Sequence, residues 1–259
     1  MGEEITITPW LTYLPVVHST NDEVRTRLES GAGHGVAICA GEQTGGRGRH
    51  GRQWFSPPGT SLYLSVGLRG PELPNFLHRI PLAAAVACAN ALLSFTGVNP
   101  GIKWPNDLLW HDRKLGGILC EALTRENRVY AAVVGIGLNV SLPLDQLPVE
   151  LHGRAASIHE FAVDSGVPEI PALASCIHQQ LLQQIEFLRD GDAAQLLDRV
   201  RQLDVTAGRR VSFQDAGGIA TGMAIGLEPD GALRVRMEPA ESGMTSEERV
   251  IRSGEVLFV

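Results

Sequence analysis

Two adjacent prolines, Pro57 and Pro58, close the run GEQTGGRGRHGRQWFSPPG at positions 41–59 and decide how that run can fold. Its core GRGRHG (46–51) satisfies the G-x-G-x-x-G spacing of a dinucleotide-binding turn. That turn works only when a helix opens at its last glycine and presents its N-terminus to a pyrophosphate. Consecutive prolines six and seven residues downstream lack backbone donors and clash with a helical turn. A doubly wound dinucleotide fold is therefore excluded, and the run reads as a loop held between strands. The apolar VAICA (36–40) precedes it, and Leu62, Leu64, Val66 and Leu68 alternate with Tyr63, Ser65 and Gly67 behind it, which predicts a half-buried strand.

The loop is a positive island. Arg47, Arg49, Arg52 and Arg69 have no acidic neighbour between Glu42 and Glu72, although the chain carries a formal charge of -7. Glycines 45, 46, 48 and 51 let the backbone approach a ligand and leave the empty loop floppy. The pattern predicts a segment that folds onto an anion. An acidic chain with one such segment is poorly suited to non-specific phosphate-backbone binding. It also lacks the repetition of an arginine–glycine nucleic-acid tail.

The remaining patterns sketch the organisation. STNDEVRTRLESG predicts a short helix with Thr20 as N-cap and Glu23 completing a capping box. Pro81 and Gly97 bracket a buried helix. KLGGILCEAL and RVYAAVVGIGLNV read as neighbouring strands, and Leu173, Ile177, Leu181, Ile185 and Leu188 mark an amphipathic helix over 172–189. From about residue 203 short strands alternate with glycine turns, Asp230-Gly231 among them, which predicts a small β-barrel. The expected domains are 1–202 and 203–259. No apolar run reaches the roughly 18–20 residues of a bilayer span, and the N-terminus has no signal-peptide pattern. Cys39 and Cys120 sit in apolar runs as small buried thiols, no C-x-x-C pair occurs, and the eight histidines show no zinc spacing. The expectation is a reduced, cytoplasmic enzyme.

A second constellation, IKWPNDLLWHDRKLGGIL (102–119), turns at Trp104-Pro105-Asn106-Asp107 and brackets Lys103, Asp107 and Lys114 in one short region. Two ammonium groups and a carboxylate suit phosphoryl or adenylyl transfer, where cations offset charge on the reacting oxygens and an aspartate can hold Mg2+. A third piece, GIGLN (135–139), offers close backbone approach and the Asn139 amide.

GRGRHGR, WFSP, KWPND, RKLGGIL and GIGLN, in this order, resemble the motif set of the biotin protein ligases over residues 14–259. The resemblance implies an α+β catalytic domain of class II synthetase type, with a mixed sheet flanked by helices, followed by a C-terminal SH3-like β-barrel. It implies ATP-dependent activation of biotin as biotinyl-AMP and transfer to a lysine of a biotin carboxyl carrier protein. Carried over by position, Ser19, Thr20, Asn21, Gln43, Arg47, Gly48, Arg49 and Lys114 contact biotin. Arg47, Arg49, Asn106, Asp107 and Asn139 serve ATP, with Asp107 near Mg2+, and Arg49, Lys103, Asp107 and Lys114 carry the chemistry. Ile118 and Leu119 pack near the thiophene ring. His50 departs from the pattern, where relatives often have a third arginine. HGRAAS (152–157) stands where the family covers adenosine, and 141–160 contain no aromatic residue. The segment before Ser19 is too short for a helix-turn-helix module, so DNA is not an expected partner, nor is a membrane; a homodimer paired through a sheet edge is compatible with the reading. A lipoate–protein ligase and a non-catalytic biotin-binding regulator remain alternatives here.

Overall fold

The computed structural model describes residues 4–162, 166–215, 218–238 and 247–259; positions 239–246 of the expected β-rich tail lie outside them. Eight strands form one sheet: β1 (Ile5–Thr8), β2 (Leu11–Val17), β3 (Ala37–Gln43), β4 (Ser61–Arg69), β5 (Gly101–Lys103), β6 (Asp107–Trp110), β7 (Arg113–Arg125) and β8 (Arg128–Asn139). Their spatial order is β1-β2-β3-β4-β8-β7-β6-β5. Only the β2–β3 pair is parallel, so the sheet is mixed. Two-residue turns with positive φ, His111-Asp112 and Glu126-Asn127, close the β6–β7 and β7–β8 hairpins. Two positive-φ residues match the right-handed twist of paired strands.

Strand β4 is buried along both faces from Ser61 to Leu68, where a half-buried strand was expected. The cause is a layer on each side. Leu62, Leu64, Val66 and Leu68 join the main core with α3 (Ile80–Thr96) and α4 (Ile170–Arg189). The opposite face meets α1 (Thr20–Glu29): a Cβ on Gly67 would lie 2.8 Å from Val36 and 3.0 Å from Leu28, and Ser65 bonds to Thr20 and Asn21. Small and polar residues on one face thus hide a second burial that alternation alone does not reveal.

Helix α1 begins one residue earlier in its cap than the sequence pattern predicts. Ser19 is the N-cap, with extended backbone and no side-chain capping bond. Thr20 is already helical, and its hydroxyl is spent on Gln43 instead of the helix end. A four-residue helix, α2 (Leu73–Phe76), leads into α3, which starts at Ile80-Pro81 and ends on Gly97 at φ 73°. The stretch Leu73–Thr96 is long and apolar enough to cross a membrane by composition, but 67% of its most apolar window is buried within the fold. Cys39 is fully buried, and burial pushes its thiol up to about 12. Cys120 is only half-buried by area, against expectation.

After α5 (Ala194–Leu203), residues 204–206 run beside the outer edge of β5, with Val205 N–H donating to Ile102 O at 3.0 Å. The chain then forms a five-stranded antiparallel, SH3-like sheet: β9 (Arg210–Asp215), β10 (Gly218–Leu227), β11 (Leu233–Met237), β12 (Glu248–Ile251) and β13 (Val256–Phe258), in the order β12-β11-β10-β9-β13. The Asp230-Gly231 turn docks on the larger part, since Trp104 Nε1 donates to Gly231 O at 3.0 Å and Arg79 Nε donates to Asp230 O at 3.1 Å.

Candidate active site

Period-two alternation turns Gly135, Gly137 and Asn139 of β8 to one face of the sheet, beside Gly117 of β7. The three glycines make a floor without side chains. Trp54 lies across it: a Cβ on Gly137 would come within 2.7 Å of the indole, and one on Gly117 within 3.4 Å. The indole Nε1 is buried without a partner. Above the floor is a cavity of about 540 Å³, within the range of small-ligand sites.

The arginine loop lines this cavity and is seated on distant parts of the fold. Arg47 and Gln53 form an isolated β-bridge, and only a single 3-10 turn, Arg49–Gly51, stands where a dinucleotide fold would open a helix. Its cations find carboxylates far away in sequence, which local composition could not reveal. Arg47 pairs with Asp22 at 2.6 Å and holds that carboxyl below its ordinary range through their hydrogen bond. Arg52 pairs with Glu255 at 2.7 Å. Burial raises the Glu255 carboxyl, but the Arg52 bond and nearby cations outweigh it and leave the group below its usual value. Arg49 instead donates to two neutral oxygens, Asn106 Oδ1 and Gly254 O, each at 2.8 Å. Its positive charge is therefore left without a carboxylate.

The KWPND turn supplies the facing wall. Asn106 is fixed by exchange with Ile118, its Nδ2 donating to Ile118 O at 2.9 Å. Asp107 opens β6 and pairs with Lys114 Nζ at 2.8 Å. Lys103 projects over the Phe258 ring, 4.9 Å from its centroid, and burial moves its ammonium below the ordinary lysine value against the raising fields of Asp107 and Glu255. Among Arg47, Arg49, Lys103 and Lys114, Arg49 and Lys103 have no carboxylate within salt-bridge distance among the described residues, while Arg47 and Lys114 do.

Ser19, Asn21, Gln43, Arg47, Gly48, Arg49, Lys103, Asn106, Asp107, Lys114 and Asn139 all line this cavity, as do Ile118 and Leu119. Thr20 does not. Its hydroxyl turns away to Gln43 Oε1 at 3.0 Å. The Asn139 amide nitrogen is also committed, donating to Ala156 O at 2.9 Å and Lys114 O at 3.3 Å, so the oxygen is the part left to meet a ligand. The 141–160 segment contributes Leu142, Leu147, Leu151 and Arg154 to the wall, and the aromatic lining comes from Trp54, Phe55 and Phe258.

Three contributors were missed in the sequence reading. Trp54 stands in the WFSP motif, which was given no role of its own, and Phe258 sits in a strand-like context that reads as core. Ser65 looked like an ordinary outward residue of a half-buried strand, yet it is fully buried behind the site. Its single proton lies between Thr20 Oγ1 at 2.7 Å and Asn21 Oδ1 at 2.6 Å, while Asn21 Nδ2 donates to Glu121 at 2.6 Å. Ser65→Ala leaves these buried acceptors short of a donor, and a loss of about 1–3 kcal/mol in urea unfolding is expected; an unchanged midpoint would contradict the network.

Comparison with known proteins agrees with this geometry. The family model "Biotin/lipoate A/B protein ligase family" matches residues 13–139, and "Biotin protein ligase C terminal domain" matches 206–259. A biotin–[acetyl-CoA-carboxylase] ligase of Mycobacterium tuberculosis is 34% identical over 221 residues, covering 83% of this chain and 79% of that one. The chain belongs to the biotin protein ligase family. A solved family structure, the biotin protein ligase of Aquifex aeolicus in complex with biotin and ATP, superposes with a TM-score of 0.80 at 26% identity, covering 96% of this chain and 98% of that one. The bifunctional ligase/repressor BirA of Bacillus spizizenii is 37% identical over 153 residues, 58% of this chain. The chain spans under half the length of the Bacillus relatives it matches, 46% and 47%.

Proposed function

We propose that the protein joins biotin to AMP at the expense of ATP and passes the biotinyl group to a lysine of a biotin carboxyl carrier protein. The observation that carries this reading is the convergence of Arg47, Arg49, Lys103 and Lys114 with Asp107 on a single cavity floored by glycine. A carboxylate approaching the α-phosphorus of ATP brings like charges together, and cations held in place lower that barrier without reorganising. The unpaired charges of Arg49 and Lys103 suit the triphosphate, and the Lys114 ammonium suits the carboxyl oxygen that becomes the anhydride. Ser19, Asn21 and Gln43 serve the cyclic urea, with Thr20 supporting Gln43 from behind. The Asn139 oxygen serves an amino-bearing purine edge.

Mg2+ is part of the reading. Among the described residues no cluster of three or more His, Cys, Asp or Glu could hold a metal. One carboxylate, Asp107, nevertheless fits an ion that keeps its waters and binds chiefly through substrate phosphates. When bound it supplies further neutralisation of phosphate charge. The anhydride is unstable in water, and the loop seated over the cavity excludes solvent from it. The acceptor lysine then attacks the acyl carbon, and AMP leaves. We assign 1–202 to catalysis and 203–259 to the C-terminal unit, a division supported by the end of α5 at Leu203. A cytoplasmic location is supported by four unpaired cysteines.

The test is transfer of radiolabelled biotin to a purified carrier domain with and without ATP. Label on the carrier only with ATP is the expected result, and equal label without nucleotide would contradict it. Lipoate in place of biotin separates the two branches of the family, and faster transfer of lipoate would overturn the choice of substrate.

A further inference from the structure

The basic side chains of this protein are twenty arginines and two lysines. The two are Lys103 and Lys114, and both line the cavity. This matters for an enzyme whose intermediate reacts with amines, so the inference rests on the adenylate-forming reading above. When an amine meets an acyl-adenylate, its nitrogen lone pair attacks the acyl carbon. The N–C bond forms, the bond from carbon to the phosphate oxygen breaks, AMP leaves with the electron pair, and the amine proton passes to water. An exposed lysine is a target for any intermediate that escapes. A guanidinium is not, because it stays protonated in proteins and has almost no free base.

We infer that this chain is kept out of the acceptor pool of its own reaction: among its lysines and arginines, those outside the cavity are all guanidinium groups, and its only two side-chain amines line the cavity, each against a partner. Exposed positions where lysine would serve equally well carry arginine, as at Arg128 and in the Arg201–Asp198 and Arg252–Asp230 pairs. Within the cavity Lys114 Nζ is held against Asp107 at 2.8 Å. Lys103 is held over the Phe258 ring. Because burial favours its neutral form, Lys103 is where the protection is thinnest, and it is the position that decides the matter. The arrangement lets the enzyme linger with a loaded intermediate while it waits for an acceptor.

The test compares the full-length protein with Arg128→Lys and Arg201→Lys variants. Each is mixed with serum albumin as a lysine-rich bystander and incubated in two arms, one with biotin and Mg-ATP, the other with synthetic biotinyl-5'-AMP. Peptide mass mapping then reads biotin at every lysine. In the adenylate-fed arm, albumin and the two introduced lysines should be labelled at comparable rates, with Lys103 and Lys114 at least about tenfold slower because their partners hold them away from the geometry of attack. Labelling of Lys103 or Lys114 as fast as an albumin lysine would overturn the inference, as would introduced lysines that stay unlabelled beside labelled albumin. Absence of pyrophosphate release in the ATP arm would instead strike the proposed function, while the adenylate-fed arm still reports on the amines.

Discussion

Replacing Lys114 by alanine should lower biotin-dependent pyrophosphate release by about a hundred- to a thousandfold, the usual effect of removing one preorganised charge-stabilising group. The fold should survive. Lys114 is placed by its backbone: its N–H donates to Arg154 O at 2.7 Å, and its carbonyl accepts from Ala156 N–H at 2.9 Å. Neither bond involves the ammonium. The ion pair with Asp107 is partly solvated, the lysine side chain being 41% exposed, and such pairs contribute about 0–1 kcal/mol. Thermal unfolding should therefore shift by only a few degrees. What is lost is the cation beside the carboxyl oxygen, and Asp107 is left without its counter-ion where a triphosphate must bind. Near-normal pyrophosphate release with an intact fold would show that Lys114 is a surface lysine that happens to face the cavity.

Gly137→Ala should cripple the site by a different route. The new methyl would sit 2.7 Å from Trp54 Cε2 and 2.8 Å from its Nε1. The backbone cannot yield, since Gly137 is paired to Tyr63 on one side and Gly117 on the other in the middle of the sheet. The indole must move instead. It stands beside Lys114, whose Nζ is 5.6 Å from its ring, and Trp54 follows directly on the arginine loop, where its backbone N–H donates to Gly46 O at 3.0 Å. Displacement therefore disturbs the lysine and the loop together. Overpacking of this kind costs about 1–3 kcal/mol, so biotin affinity measured by calorimetry should fall about ten- to a hundredfold. Wild-type affinity in this variant would mean that the indole does not bound the ligand site.

Much of this site could be read from residue order, and what could not has a common cause. Chemistry-bearing residues inside short motifs, such as Asp107 and Lys114, are close in sequence, so spacing alone implied their meeting. Contacts closed by the fold were illegible. Nothing near Arg47 in sequence announces Asp22 as its counter-ion, and nothing near Arg52 announces Glu255, more than 200 residues away. The double burial of β4 was hidden for a related reason. Ser65 and Gly67 are residues that solvent-facing strand positions also use, and only the arrival of α1 makes that face interior. The Thr20 cap failed because its hydroxyl had a tertiary partner in Gln43, and such competition is invisible to a local pattern.

The most direct measurement is single-turnover formation of biotinyl-AMP from radiolabelled ATP, followed for the native chain and for Arg49→Ala and Lys103→Ala, the two cations without a carboxylate. The account predicts rapid adenylate formation by the native chain and losses of about a hundredfold or more in each variant, with biotin binding far less affected. Adenylate forming at the native rate in both variants, or never forming in the native protein given biotin, ATP and magnesium, would contradict it.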